Sequence, residues 1–153
     1  MDVKACYEKL KEEHELPAFE FLDDNFEICD LEGETHILRK VRRHMIEKTK
    51  TYIDILEDII HPNSTVSAYH EYKIIDESDR KQVYDIYSKL MSLTRHSQKL
   101  DLEMEPKEDA RFISEVAGTW PELRDKLANL MHKLNKCWLE EEVSDKSMAS
   151  YLG

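Results

Sequence analysis

Residues 36–50 carry six basic side chains and are the part of this chain best suited to binding anions. Glu47 is the one acid among them, and the preceding residues 12–34 hold ten acids and no lysine or arginine. A basic segment in an acidic protein is typical either of a docking surface or of an internal partner for neighbouring acids. The cations of this basic segment are Arg39, Lys40, Arg42, Arg43, Lys48 and Lys50.

A helical projection divides the basic segment into two parts. With Leu38 at 0° and about 100° per residue, Arg42 falls at about 40°, on the apolar side. Because an unpaired buried guanidinium is costly, we expect Arg42 to form a structural ion pair, with residues 12–34 as the nearest supply of carboxylates. The side chains on the opposite face are either an ordinary solvated surface or a partner-binding site: His36, Arg39, Lys40, Arg43 and Lys50.

Histidines and cysteines are the candidates for metal binding and nucleophilic catalysis. Helical bundles bind metals through Glu-x-x-His on facing helices, and none of the seven histidines has a glutamate three residues before it. Cys137 lies on an apolar helix face, and the acids around Cys29 should raise its thiol pKa. We therefore predict no catalytic residue, no metal and no cofactor.

Aromatic residues give two weaker binding candidates. Phenylalanines alternate with acids within residues 18–32, a pattern typical of an interaction peptide or, more often, of core packing. Four tyrosines could line a groove that binds a peptide or stacks a base, but ordinary packing with the hydroxyls reaching water is the favoured interpretation. They are Tyr69, Tyr72, Tyr84 and Tyr87, on predicted helices near 64–72 and 78–101.

Composition restricts the class of protein. Charged residues make up 36% and apolar residues 41%, which is typical of a globular domain. Three glycines in 153 residues argue against a P-loop, a Rossmann half or an α/β-hydrolase, which need glycine at sharp turns. The odd number of cysteines and the missing signal-peptide pattern predict a cytoplasmic protein, and no apolar run is long enough for a membrane span.

The apolar spacing predicts helices throughout. The clearest one covers residues 35–60, with apolar residues three and four apart, and should end at Pro62. A further helix should open at Glu105-Pro106 and stop at Gly118, and the last should begin at Thr119. We predict an all-α helical bundle of about four main helices plus short connecting helices. Residues 1–142 should form one domain, and residues 143–153 a flexible tail.

These patterns favour a non-enzymatic protein-interaction module, either an adaptor or a subunit of a complex. It should dock an acidic protein surface through the basic face of helix 35–60. One alternative is a nucleic-acid-associated factor that uses the same basic face. Another is a small helical enzyme with a histidine/carboxylate site. Homo-oligomer formation through exposed parts of the apolar faces also stays open.

Overall fold

The computed structural model describes residues 2–32 and 35–139, and all regular structure in these ranges is helical. The prediction of an all-α fold is therefore confirmed. Six α-helices and one short 3-10 helix follow in order: α1 (Val3–His14), α2 (Phe19–Phe26), the 3-10 helix (Ile28–Asp30), α3 (Ile37–Ile60), α4 (Val66–Ile74), α5 (Glu77–Glu103) and α6 (Pro106–Leu139).

The chain forms two compact units. The first unit comprises Met1–Lys50 and Met91–Pro121, and the second comprises Thr51–Leu90 and Glu122–Gly153. Helices α3, α5 and α6 contribute residues to both. The single domain over residues 1–142 stays a prediction, and the predicted tail at 143–153 lies outside the described residues.

Helix α3 carries the basic segment and agrees with the sequence pattern. It begins at Ile37 rather than near Thr35, because His36 has a φ of 54° and cannot continue a right-handed helix. Thr49 does not interrupt it, since its hydroxyl donates to the Ile46 carbonyl at 2.7 Å within the helix. The helix ends at Ile60, just before His61-Pro62, as expected from proline's missing N–H.

Polar caps fix the starts of α4 and α5. The Thr65 hydroxyl accepts the Ala68 N–H at 3.3 Å, and an Asp76 carboxylate oxygen accepts the Asp79 N–H at 2.8 Å. A short oxygen-bearing side chain at each position satisfies N–H groups that have no helical acceptor. Left-handed Met104, with a φ of 58°, follows α5, and Pro106 opens α6.

The predicted break at Gly118 is wrong, because α6 is a single 34-residue helix that contains both Gly118 and Pro121. One apolar face continues across this point, where Val116, Trp120 and Leu123 are all buried. Burial of that continuous face outweighs the local preference of glycine and proline for helix ends.

The core of the first unit is built from α1, α2 and the portions of α3, α5 and α6 that belong to it. The fully buried residues include Tyr7, Phe26 and Phe112. The Tyr7 hydroxyl donates to the Pro17 carbonyl at 2.6 Å and so ties α1 to the turn before α2. The ring centroids of Phe26 and Trp120 lie 4.9 Å apart, and this contact anchors α2 on α6 within this unit.

The second unit has its own core, contributed by α4 and the remaining portions of α3, α5 and α6. Its fully buried members include Leu56, Ile75 and Leu90, and His70 is buried beside Trp138 with 4.3 Å between the ring centroids. Among the described residues, no helix combines the length and apolar character needed to cross a membrane.

We expect Gly118→Ala to raise the free energy of unfolding by about 0.5–1 kcal/mol, since the new methyl group removes backbone freedom from the unfolded chain. A Cβ at this exposed helical position meets nothing within 4 Å. Urea denaturation measures the change. Ala128→Gly at another exposed position of α6 is the matched control and should lower stability by a similar amount. A loss of stability in Gly118→Ala would show that residue 118 is not helical.

Candidate partner-binding surface

Arg42 is buried within the first unit and is 0% exposed. Its Nε donates to Asp109 at 2.7 Å, and Nη2 donates to Asp101 at 2.5 Å. Nη1 donates to the Ser97 carbonyl at 2.7 Å and also contacts the Ser97 hydroxyl. Arg42 therefore connects α3 to the end of α5 and the first turn of α6 through a hydrogen-bonded ion pair.

Arg42 is buried and paired, as its angular position indicates, but the source of its carboxylates was predicted wrongly. Asp101 and Asp109 provide them, and not residues 12–34. The reason is spatial, because Asp109, 2% exposed, lies on the inward face of α6 with Phe112 and Ile113. The sequence does carry a signal for this partner, because Asp109 precedes the apolar Phe112 and Ile113 by three and four positions and so lies on the same helix face.

Three other cations of the basic segment have acceptors outside α3 within the first unit. Lys48 pairs with Glu27, and the Lys40 ammonium donates to the Glu32 carbonyl at 2.9 Å. Residues 12–34 are thus partly the internal partner of the basic segment. Arg43 Nε donates to Asp101 at 2.9 Å while its side chain stays 56% exposed.

Asp101 is shared by two guanidinium groups, and this sharing lowers its pKa. Partial burial alone would raise the pKa, but the hydrogen bonds and charges of Arg42 and Arg43 outweigh burial and hold it below the ordinary value of 3.8. The aspartate therefore stays ionised and keeps both guanidinium groups attached to the end of α5.

Arg39 differs from the rest of the basic segment, because no described residue accepts a hydrogen bond from its guanidinium and its Nε is buried without a partner. Arg39 and His36 line a cleft of about 200 Å³ together with Leu10 of α1 and Pro106 and Asp109 of α6. Arg42 already binds the Asp109 carboxylate, so the cleft holds a cation that makes no hydrogen bond to a described residue.

The five predicted binding residues are therefore not equivalent. His36, Arg43 and Lys50 are exposed as expected, and Lys50 pairs with Glu47 at 2.8 Å within α3. Arg39 and Lys40 are half-buried, because one lines the cleft and the other reaches Glu32. The structure brings His36 and Arg39 together in one cleft, and it leaves Lys50 three helical turns away along α3.

Comparisons of this chain with protein-family models, with curated proteins and with solved structures find no match.

The surroundings of the two candidate nucleophiles disfavour reactivity of their thiols. Hydrogen bonding and charge from Asp23 raise the pKa of the Cys29 thiol to about 11, so the reactive thiolate is scarce at neutral pH. Cys137 is buried, and its thiol donates to the Leu134 carbonyl at 2.9 Å. Of the three phenylalanines near the acids, Phe19 and Phe26 are buried and Phe21 is half-buried, and the Phe19 ring lies against Tyr7 with 5.7 Å between ring centroids.

Replacing Arg42 by methionine should lower the free energy of unfolding by about 3–5 kcal/mol, because Asp109 would stay buried without its counter-charge. Arg43→Met removes the more exposed partner of the same Asp101 and should cost only about 0–1 kcal/mol. Urea denaturation compares the two variants. Adding Asp109→Leu to Arg42→Met should restore part of the loss; equal costs for Arg42→Met and Arg43→Met would contradict the buried ion pair.

Asp101→Asn should make stability less dependent on pH in acid. Because folding lowers the pKa of Asp101, its contribution is present above the unfolded-state value of 3.8 and is lost as the pH falls through the lowered folded-state value. The gap in unfolding free energy between the natural protein and Asp101→Asn should therefore be largest near pH 7 and shrink in acid. Denaturant titrations across this range measure the gap, and a gap independent of pH would refute the role of Asp101.

Proposed function

We propose that this protein is a non-enzymatic interaction module that docks an acidic segment of a partner protein at the amino-terminal part of α3. The observation that supports the proposal most directly is the cleft with Arg39 and His36, where the guanidinium has no acceptor among the described residues. An aspartate or glutamate side chain of a partner would supply that acceptor, with the planar fork of Arg39 suited to bidentate binding.

The neighbouring residues support an electrostatic mode of docking. Arg43 follows Arg39 by about one turn of α3, and its side chain remains 56% exposed. Lys40 adds a second positive charge on the same helix. Arg42 fixes α3 from inside the unit, so these side chains project from a rigid helix rather than from a loop. Ordered donors lose little entropy on binding, which favours affinity. The odd number of cysteines supports a cytoplasmic location as part of the proposal.

The test uses a double variant, Arg39→Glu/Lys40→Glu, that reverses charge at the cleft. A control variant, Lys99→Glu/Lys107→Glu, makes the same change in net charge at exposed sites elsewhere in the first unit. Both should fold, as judged by thermal denaturation. Proteins captured on immobilised natural protein should be retained by the control and lost from the double variant, with binding that weakens as salt rises.

The affinity of the purified partner for each protein is then measured. Charge reversal in Arg39→Glu/Lys40→Glu should weaken this affinity by about tenfold or more. Equal affinity for all three proteins would show that the basic segment is an ordinary solvated face. Capture that disappears after nuclease treatment would favour the nucleic-acid alternative instead.

A further inference from the structure

The second unit contains a separate cleft of about 300 Å³. Its floor is apolar, because Ile59 at the end of α3 and Val83 of α5 are both almost fully buried. Tyr72 of α4 and Tyr84 of α5 stand along it, and Arg80 and Lys81 add two positive charges. Two of the four tyrosines that could line a groove between these helices, Tyr72 and Tyr84, therefore do line this cleft, and it also carries two cations that the aromatic pattern alone did not reveal.

Arg80 is held in place by Tyr72. The central carbon of its guanidinium lies 4.2 Å from the centre of the tyrosine ring, a cation–π arrangement, and Nη2 donates to the Tyr72 carbonyl at 3.2 Å. Arg80 makes no ion pair within residues 2–32 and 35–139, and its Nε is buried without an acceptor. The cation is thus fixed in position while most of its N–H groups donate to no described residue.

The charge around the cleft favours an anionic ligand. Lys81 is exposed and contacts no carboxylate of the described residues, and no acid lines the cleft. Asp79, the acid next to Arg80 in sequence, is paired with Lys133 at 2.6 Å. The chain as a whole has a net charge of −11, but this cleft combines two cations with an apolar floor and no acid. The cleft is therefore complementary in charge to a carboxylate.

We propose that this cleft binds a partner-protein segment in which an aspartate or glutamate stands next to a large apolar side chain. The apolar side chain would pack on Ile59 and Val83 between the tyrosines, and the carboxylate would accept hydrogen bonds from Arg80 and Lys81. A nucleic-acid base fits less well, because Arg80 covers the ring of Tyr72 and leaves Tyr84 alone for stacking. The site lies in the second unit and shares no residue with the Arg39 cleft.

The experiment selects peptides from a random-sequence display library on the natural full-length protein. Enriched peptides should carry aspartate or glutamate beside leucine, isoleucine, phenylalanine or tryptophan. Binding of the best peptide to purified variants then locates the site by fluorescence anisotropy. Lys81→Glu should weaken it by about tenfold or more through charge repulsion. Tyr84→Ala removes a side chain that is 58% exposed and should weaken it by about threefold or more with little effect on folding.

Two controls make the result decisive. Lys89→Glu places the same charge reversal at an exposed position of α5 in the same unit and should leave binding unchanged. Arg39→Glu should also leave it unchanged, so that failure of this site and failure of the proposed docking at α3 can be told apart. The inference is overturned if no peptide is enriched, if the enriched peptides lack acids, or if Lys81→Glu and Lys89→Glu have equal effects. Preferential binding of single-stranded oligonucleotides at the same residues would overturn it as well.

Discussion

The first unit depends on one desolvated guanidinium. Arg42 is completely removed from water, and a charge in that position is tolerated only when its donors are satisfied. Asp109, Asp101 and Ser97 satisfy them, and these three residues belong to α5 and α6. The requirement to keep them within hydrogen-bonding distance fixes how α3 lies against those helices within the unit. An apolar side chain at position 42 would allow α3 to slide against those helices, whereas the hydrogen bonds of the guanidinium prevent such sliding.

The burial of Arg42 also divides the basic segment into cations that are paired inside the unit and cations that a partner could reach. Arg42 and Arg43 are adjacent in sequence and share Asp101, yet one is buried and the other is 56% exposed. Lys48 pairs with Glu27, whereas the guanidinium of Arg39, which lines a cleft, donates to no acceptor among the described residues. A basic segment that looks uniform in sequence is therefore heterogeneous in structure. Its capacity for binding a partner is concentrated at the start of α3.

The sequence predicted well what depends on periodicity and on local hydrogen bonding. The apolar face of α3, its end before Pro62 and the inward position of Arg42 all follow from residue spacing and side-chain chemistry. Contacts between residues far apart along the chain could not be predicted in the same way. The carboxylates of Arg42 were sought in the segment closest in sequence, but helix packing brings Asp109 to it across 67 positions.

Local signals also failed where packing overrides them. Gly118 and Pro121 each favour a helix end, but a continuous buried face carries α6 through both residues. In the same way, the tyrosines of α4 and α5 indicated a groove, whereas its cationic character required knowing that Arg80 stacks on Tyr72. Side chains eight positions apart on two different helices have no fixed spatial relation until the turn between those helices is known.

The most direct test of the central claim is hydrogen exchange at arginine Nε, followed by NMR after transfer of the protein to heavy water. The account predicts that the Nε–H of Arg42 exchanges only when the first unit opens, and is therefore among the slowest arginine signals. The Nε–H of Arg43, which donates to the same aspartate from an exposed side chain, should exchange far faster. Equal, rapid exchange at both arginines would contradict a buried Arg42 and the division of the basic segment that follows from it.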